Sequence, residues 1–213
     1  EMISRNILIF FVHISSFIFS QQQIEIPVQL FNEISNKKSM DKYTGSVYLF
    51  NNFKRGIVNF QGNKFEKMLN INTYSNTISF KDEFGEIFEF NYSKDLFISI
   101  GDLKFKNLEI NGEWYIVKEI AQSGDQYLYK SFFTKLIPPR PSSTGYDLPK
   151  PGKIEVKNRY IFYINDNFYI MRNSKKELLN TFPDHAKFIK RYKFKKEEDW
   201  IKFFLYQIKN PNF

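Results

Sequence analysis

Two histidines and no cysteine make up the imidazole and thiol complement of this 213-residue chain. His13 falls in an apolar leader, so His185, just after Pro183-Asp184, is the one imidazole left for chemistry. That count excludes a zinc site with several His or Cys ligands and excludes Cys-His catalysis. A Ser-His-Asp triad survives only if His185 serves as its base. His185 could act as a general base or metal ligand, but its place at a helix start reads more simply as an exposed first-turn residue. No P-loop, dinucleotide-binding glycine pattern or EF-hand loop is present.

Carboxylate chemistry needs only two side chains. Glycosidases place two Asp or Glu roughly 5 to 9.5 Å apart. The candidates here are Asp82, Glu83, Glu86, Glu89, Asp102, Glu109 and Glu113. They fall at turns and outward strand positions, where charged residues ordinarily sit. Asp82, Glu83 and Glu86 could also offer oxygens to a weakly held calcium ion. No catalytic, cofactor-binding or metal-ligating residue is assigned from these patterns, and no cofactor is expected.

The candidate binding residues are basic: Lys187, Lys190, Arg191, Lys193 and Lys195, followed by Lys196 and interleaved with Tyr192 and Phe194. The net charge is +8, and residues 151–213 hold 14 Lys or Arg against 7 Asp or Glu, whereas the rest holds 17 against 16. Such a tail can meet nucleic acid, anionic lipid headgroups or acidic polymers; an envelope protein or acidic polymer is the expected partner, and nucleic acid is not expected. Tyrosine and phenylalanine are the other abundant resource: Tyr127, Tyr129, Phe132, Phe133, Tyr160, Phe162, Tyr163, Phe168 and Tyr169. Alternate strand residues face opposite ways, so part of this set is expected in the core and part on a face that could stack on sugar rings or bases. Trp114 and Trp200 are expected as core anchors.

The elements that position these residues follow from periodicity. Residues 21–44 form a weakly patterned lead-in, in which Ile24, Ile26 and Val28 alternate around Pro27. Residues 45–137 read as an antiparallel β body. Val58 and Phe60 flank Asn59, Leu69 and Ile71 flank Asn70, Ile78 and Phe80 flank Ser79, and Phe88, Phe90 and Tyr92 alternate with Glu89 and Asn91. Turn signals separate the runs, and Asn111-Gly112 is the clearest, because a type I′ turn needs positive φ at both central residues. Residues 138–152 hold Pro138, Pro139, Pro141, Pro149 and Pro151 and read as a long loop at the natural domain boundary.

Residues 153–213 give a hairpin turned at Asn165-Asp166-Asn167 and then basic helices. Ser174 with Glu177 makes a capping box. The last helix is expected from about Lys195, with Ile201, Phe204, Leu205 and Ile208 as its buried stripe. The expected fold is mainly β (α+β), an antiparallel meander forming a sandwich or open barrel, closed by two or three short C-terminal helices packed on the β body.

The first twenty residues differ from the rest. Arg5 precedes an apolar run from Ile7 to Phe19, followed by Ser20 and three glutamines. This is the order of a secretory signal, and the run is shorter than the roughly 20 residues a spanning helix needs. No second apolar stretch approaches that length.

Gly45 to Phe50, Phe53, Gly56, Gly62, Leu69-Asn70 and Ile78 resemble a group of exported Bacteroidota proteins of unknown function. So do Ser174 to Leu179, Phe182-Pro183-Asp184 and Lys195 to Asp199. The resemblance implies an envelope protein, periplasmic, outer-membrane-associated or released, with a β body and terminal helices; it implies no activity or ligand. The expected function is non-catalytic envelope binding or interaction. The alternatives are a carboxylate-dependent hydrolase of envelope glycans and a structural subunit of an envelope complex. Export is checked by fractionating cells that express the full chain and a variant lacking residues 2–20. The full chain is expected outside the cytoplasm with its N-terminus at Gln21, and the shortened chain inside.

Overall fold

The structure, a computed structural model, describes residues 31–33, 42–141 and 148–210, with side chains from residue 42 onward. The leader, the alternation at 24–28 and Ser142, Ser143 and Gly145 of the proline-rich segment lie outside the described residues. The described chain is mostly β, forming one large open sheet followed by three short helices.

Twelve strands build the sheet. They are β1 (Phe31–Glu33), β2 (Tyr43–Thr44), β3 (Lys54–Phe60), β4 (Asn63–Asn72), β5 (Thr77–Lys81), β6 (Ile87–Phe90), β7 (Leu96–Ile100), β8 (Leu103–Ile110), β9 (Glu113–Ser123), β10 (Gln126–Ile137), β11 (Gly152–Ile164) and β12 (Asn167–Met171). Their spatial order is β1-β6-β5-β4-β3-β7-β8-β9-β10-β11-β12, with β2 pairing β11 in parallel and every other pair antiparallel.

Two hairpin turns form where the sequence marks them. Asn111 and Gly112 have φ of 53° and 80°, and Asn165 and Asp166 have 50° and 61°, the left-handed values a two-residue type I′ turn requires. The proline-rich segment joins β10 to β11, which pair continuously from Tyr127↔Tyr163 to Ile137↔Lys153.

The order of strands forces the sheet to curl. β6 and β7 are neighbours in sequence but lie four strand spacings apart, about 19 Å if the sheet were flat. Residues 91–95 would have to be almost fully extended to cross that gap. Instead they contain a turn, closed by Leu96 N–H donating to the Ser93 carbonyl at 3.3 Å. The β4–β5 end therefore folds over toward β9 and β10. Asn76 at that turn donates to the Trp114 carbonyl and accepts from the Ile116 amide at 3.3 Å. Thr73 and Thr134 share a hydroxyl hydrogen bond of 2.7 Å. Tyr92 stacks on Trp114 at 5.6 Å and 3°. Trp114 is thus half-buried at the seam of the curl rather than deep in a core.

The inner face of the curl holds the first core: Val58, Leu69, Ile71, Ile78, Phe80, Phe90, Leu96, Ile98, Phe105 and Ile116. Gly56 sits where a Cβ would meet the Ser99 carbonyl oxygen at 2.5 Å and Leu69 Cδ1 at 2.7 Å. Buried Asn70 pins the Leu49–Phe50 loop by accepting from the Phe50 amide at 3.1 Å and donating to its carbonyl at 2.8 Å.

Where the curl ends, helices cover the same face. They are α1 (Lys175–Thr181), α2 (Ala186–Arg191) and α3 (Glu197–Lys209). Leu128, Tyr160, Phe162, Ile164 and Met171 meet Leu178, Phe182, Ile189, Phe194, Trp200, Phe203 and Phe204 in a second core. Ser174 caps α1 as expected, its Oγ accepting from the Glu177 amide at 3.4 Å. The Glu177 carboxylate, however, accepts from Arg172 N–H at 2.7 Å, because Asn173 at φ 53° turns that amide toward it.

The last helix differs from expectation in start and phase. Phe194 adopts φ 55° and holds the chain in a turn, so α3 begins at Glu197. The Trp200 indole donates to the Phe194 carbonyl at 3.1 Å and stacks on Tyr160 at 4.1 Å. That anchor rotates the helix so that Trp200, Phe203, Phe204 and Gln207 are buried, while Leu205 is exposed and Ile201 and Ile208 are half-buried.

Glu197 fastens the start of α3 to the sheet. Lys118 and Lys130 face each other across β9 and β10, and Glu197 reaches both, at 3.3 and 2.8 Å. Burial alone would raise its pKa; the two ammonium groups outweigh burial and hold it below its ordinary value. Glu197→Gln leaves two like charges opposed on one strand pair. It is expected to lower the unfolding free energy by about 1–3 kcal/mol at pH 7, read by urea denaturation. A group whose folded pKa is depressed stabilises above its unfolded pKa, so the difference from wild type should vanish as the pH falls through the lowered pKa.

Candidate functional site

Strand alternation sorts the aromatic residues. Phe132, Tyr160 and Phe162 join the covered cores. Tyr127, Tyr129, Tyr163 and Phe168 lie on the opposite face, which we call the open face, with Tyr115, Val117, Ile161 and Ile170; of these Tyr115, Val117, Tyr129 and Ile161 are buried beneath their neighbours, and Tyr127, Tyr163, Phe168 and Ile170 are half-buried. Among the described residues no helix side chain joins that cluster.

Cross-strand register builds the platform. Tyr127 pairs with Tyr163 and Tyr163 with Phe168; Tyr129 pairs with Ile161 and Ile161 with Ile170. The Tyr127 and Tyr129 rings stack at 5.5 Å and 7°, and Tyr163 meets Phe168 at 4.7 Å. The hydroxyls are held as well. Tyr127 accepts from Gln122 Nε2 at 3.0 Å, and Tyr163 donates to Asp166 Oδ1 at 2.8 Å. A bulge in β9, where the register shifts between Leu128 and Tyr129, brings Glu119 rather than Ile120 opposite Tyr129.

Lys106 stands at the border of this platform. Its ammonium lies 4.7 Å from the Tyr129 ring centroid and 5.2 Å from that of Tyr127, and it donates to the Tyr129 hydroxyl at 3.1 Å. Burial lowers its pKa and the nearby Glu119 carboxylate, 4.0 Å away, partly restores it. Burial likewise raises the Tyr129 pKa well above a free phenol's, with Glu119 adding to it, so Tyr129 stays a hydrogen-bonding phenol.

Beside Lys106 the same face opens into a cavity of about 660 Å³ spanning β3, β7, β8 and β9. Ile57 and Phe97, 44% and 46% exposed, give it an apolar floor. Asn59, Lys64, Ser99, Asp102, Lys104, Lys106 and Glu119 supply polar groups around it. Lys118 also lines it, but the Lys118 ammonium is committed to Glu197.

The predicted carboxylates do not gather. Asp82 accepts from the amides of Phe84 and Glu86 within its own turn. Glu89 accepts from Asn72 and Ser75, Glu113 from the Tyr115 hydroxyl, and Glu109 pairs with Lys94. Only Asp102 reaches the cavity, where it is joined by Glu119. No group of three or more His, Cys, Asp or Glu among the described residues could hold a metal ion.

The basic residues are exposed. Lys187, Lys190, Arg191, Lys193 and Lys195 surround the α2–α3 connection, and none has a carboxylate partner among the described residues. They occupy a corner away from the cavity and share no wall with it. No helix among the described residues is long and apolar enough to cross a membrane.

His185 corrects the expectation of an exposed first-turn residue. It is 3% exposed, set edge-on to the Phe203 and Tyr206 rings at 6.2 and 5.5 Å. Proline 183 opens a 3-10 turn that carries the imidazole inward as Phe182 enters the core. It is a packing residue and lies far in sequence from every strand of the cavity. No protein-family model matches this chain, and neither a curated protein nor a solved structure is significantly similar to it.

Desolvation lowers the His185 pKa, against the weaker pull of Asp184. Its contribution to stability is therefore full above the unfolded value of about 6.5 and is lost as the pH falls through the folded value. Wild type is expected to lose unfolding free energy between about pH 7 and pH 5, and His185→Phe to lose less over that window.

Proposed function

We propose that this chain is an exported, non-catalytic binding protein of the bacterial cell envelope, and that its ligand lies on the open face of the sheet. The single observation that carries the binding reading is the open face itself. It joins a cavity of about 660 Å³ to an immobilised tyrosine platform, and no described helix packs on it. A sheet face that no described layer covers, opposite one closed by the curl and the helices, is a common form of binding surface, with apolar contact area and a few placed polar groups. The leader-like run at residues 7–19 and the resemblance of the β body and tail to exported Bacteroidota proteins support the envelope assignment.

The basic corner of Lys187, Lys190, Arg191, Lys193 and Lys195 is a second contact, toward an acidic polymer or an envelope protein. Its charges fall on a solvent-facing corner rather than in a groove, so it favours attraction and speed of encounter over selectivity. A carboxylate-dependent hydrolase acting on envelope glycans keeps one supporting observation, that Asp102 and Glu119 share the cavity wall. It would show as release of reducing ends from purified envelope glycan that both Asp102→Asn and Glu119→Gln abolish.

The test is pull-down of the tagged protein from fractionated envelope. Two variants run beside it: Phe97→Asp with Lys104→Glu on the open face, and Glu at positions 187, 190, 191 and 193 on the corner. The open-face variant is expected to lose the captured component at any salt concentration, and the corner variant to weaken capture mainly at low salt. Capture that survives both variants would take the ligand off the open face, and no captured component at all would remove the binding reading.

A further inference from the structure

The geometry points to an acidic oligosaccharide as the ligand of the open face, with sugar rings on Tyr127 and Tyr163 and their carboxylates on the lysines. This rests on the reading of that face as the binding surface and names the chemistry it selects.

The platform is preorganised. Tyr127 and Tyr163 have their hydroxyls fixed by Gln122 and Asp166, and Tyr127 lies nearly parallel to Tyr129. Rings held at both ends lose little rotamer freedom when something stacks on them. A pyranose offers an apolar C–H face to such a ring and a rim of hydroxyls around it. Tyrosine, apolar in body and polar at one tip, matches both.

The cavity mixes donors with acceptors. Lys64, Lys104 and Lys106 stand beside Asp102 and Glu119, with Asn59 and Ser99 between them. Sugar hydroxyls both give and accept hydrogen bonds, so they need such a mixture. A phosphodiester backbone only accepts. It would meet Asp102 and Glu119 as repulsive charges where nucleic-acid grooves are uniformly basic. Three ammonium groups against two carboxylates leave a surplus of positive charge suited to scattered carboxylates on a chain, not to a dense polyanion.

The face is long. From β3 to β12 the site crosses six strand spacings, about 29 Å. Lys106 sits where the cavity meets the tyrosines, so one chain could occupy both. That length calls for several sugar rings in a row.

The experiment is binding of the purified full chain to an array of acidic and neutral oligosaccharides, followed by calorimetry on the best acidic probe and its neutral counterpart. Retention of carboxylate-bearing oligosaccharides is expected, at least tenfold tighter than neutral counterparts. Tyr127→Ala, Phe97→Ala and Lys104→Glu are each expected to weaken binding about tenfold or more, with circular dichroism unchanged. Phe97 and Lys104 are solvent-exposed, which protects the test against misfolding of Tyr127→Ala. Lys176→Glu, exposed on α1 on the helix-covered side, should leave the affinity within twofold. Equal binding of neutral probes, tighter binding of an oligothymidylate, or no retained acidic glycan would each overturn the inference. If a protein instead is captured from the envelope through the open face, the binding function stands and the glycan assignment falls.

Discussion

A β-sheet has two faces, and the described residues supply layers for only one of them. The inner face must be dry over its whole width because it carries Val58, Leu69, Ile98, Phe105, Leu128 and Phe162. Two devices share that work. Over β3 to β9 the sheet bends onto itself, and over β10 to β12 the helices lie down on it. Burying aliphatic and aromatic side chains at about 25 cal/mol per Å² dominates the stability of such a body, and without cysteine no disulfide can substitute for it. The opposite face inherits what is left. It receives enough tyrosine to remain ordered and enough lysine to remain wet. The candidate site is thus the unclosed side of a packing problem solved on the other side.

The charges on the sheet obey the same asymmetry. Lys118 and Lys130 face the helical layer and are held there by Glu197, which makes them part of the scaffold. Lys104 and Lys106, on the neighbouring strand, face outward and border the cavity. One lysine-rich stretch of strands thereby supplies structural and surface cations by alternation alone. A composition argument treats them as one basic population, whereas the pleat divides them.

What the sequence reveals about this fold follows from how local each signal is. Asn111-Gly112 and Asn165-Asp166 declare their turns because positive φ is a property of two residues. Ser174 declares a helix start for the same reason. The phase of α3 was not legible, since Ile201, Leu205 and Ile208 are as apolar as Phe203, and only the stack of Trp200 on Tyr160 decides which side turns in. His185 was misplaced because proline at a helix start suggests an exposed turn, while the burial of Phe182 drags the imidazole inward. The platform was half legible. Strand alternation divides the tyrosines and phenylalanines into two sets, but nothing local says which set the helices will cover. The cavity was not legible at all, because β3 joins the β7–β9 meander that lines the rest of it only through the long-range β3–β7 pairing.

That pairing also carries a consequence for how the molecule assembles. On one side of it, β3 to β6 join through short turns into a unit of local contacts; on the other, β7 to β12 do the same, apart from the proline-rich connection. Each is a run of hairpins, which form on microsecond timescales. The junction of Ile57–Phe60 with Leu96–Ser99 is different, since it must close a loop that contains the whole first unit. Long-range closures of this kind raise contact order and slow folding. Until it forms, β3 and β7 each present an unpaired edge, and the floor of the cavity does not exist. The step that creates the candidate site is therefore also the step that removes these two edges, so a newly emerged chain completes its cavity and pairs its interior strands in one event.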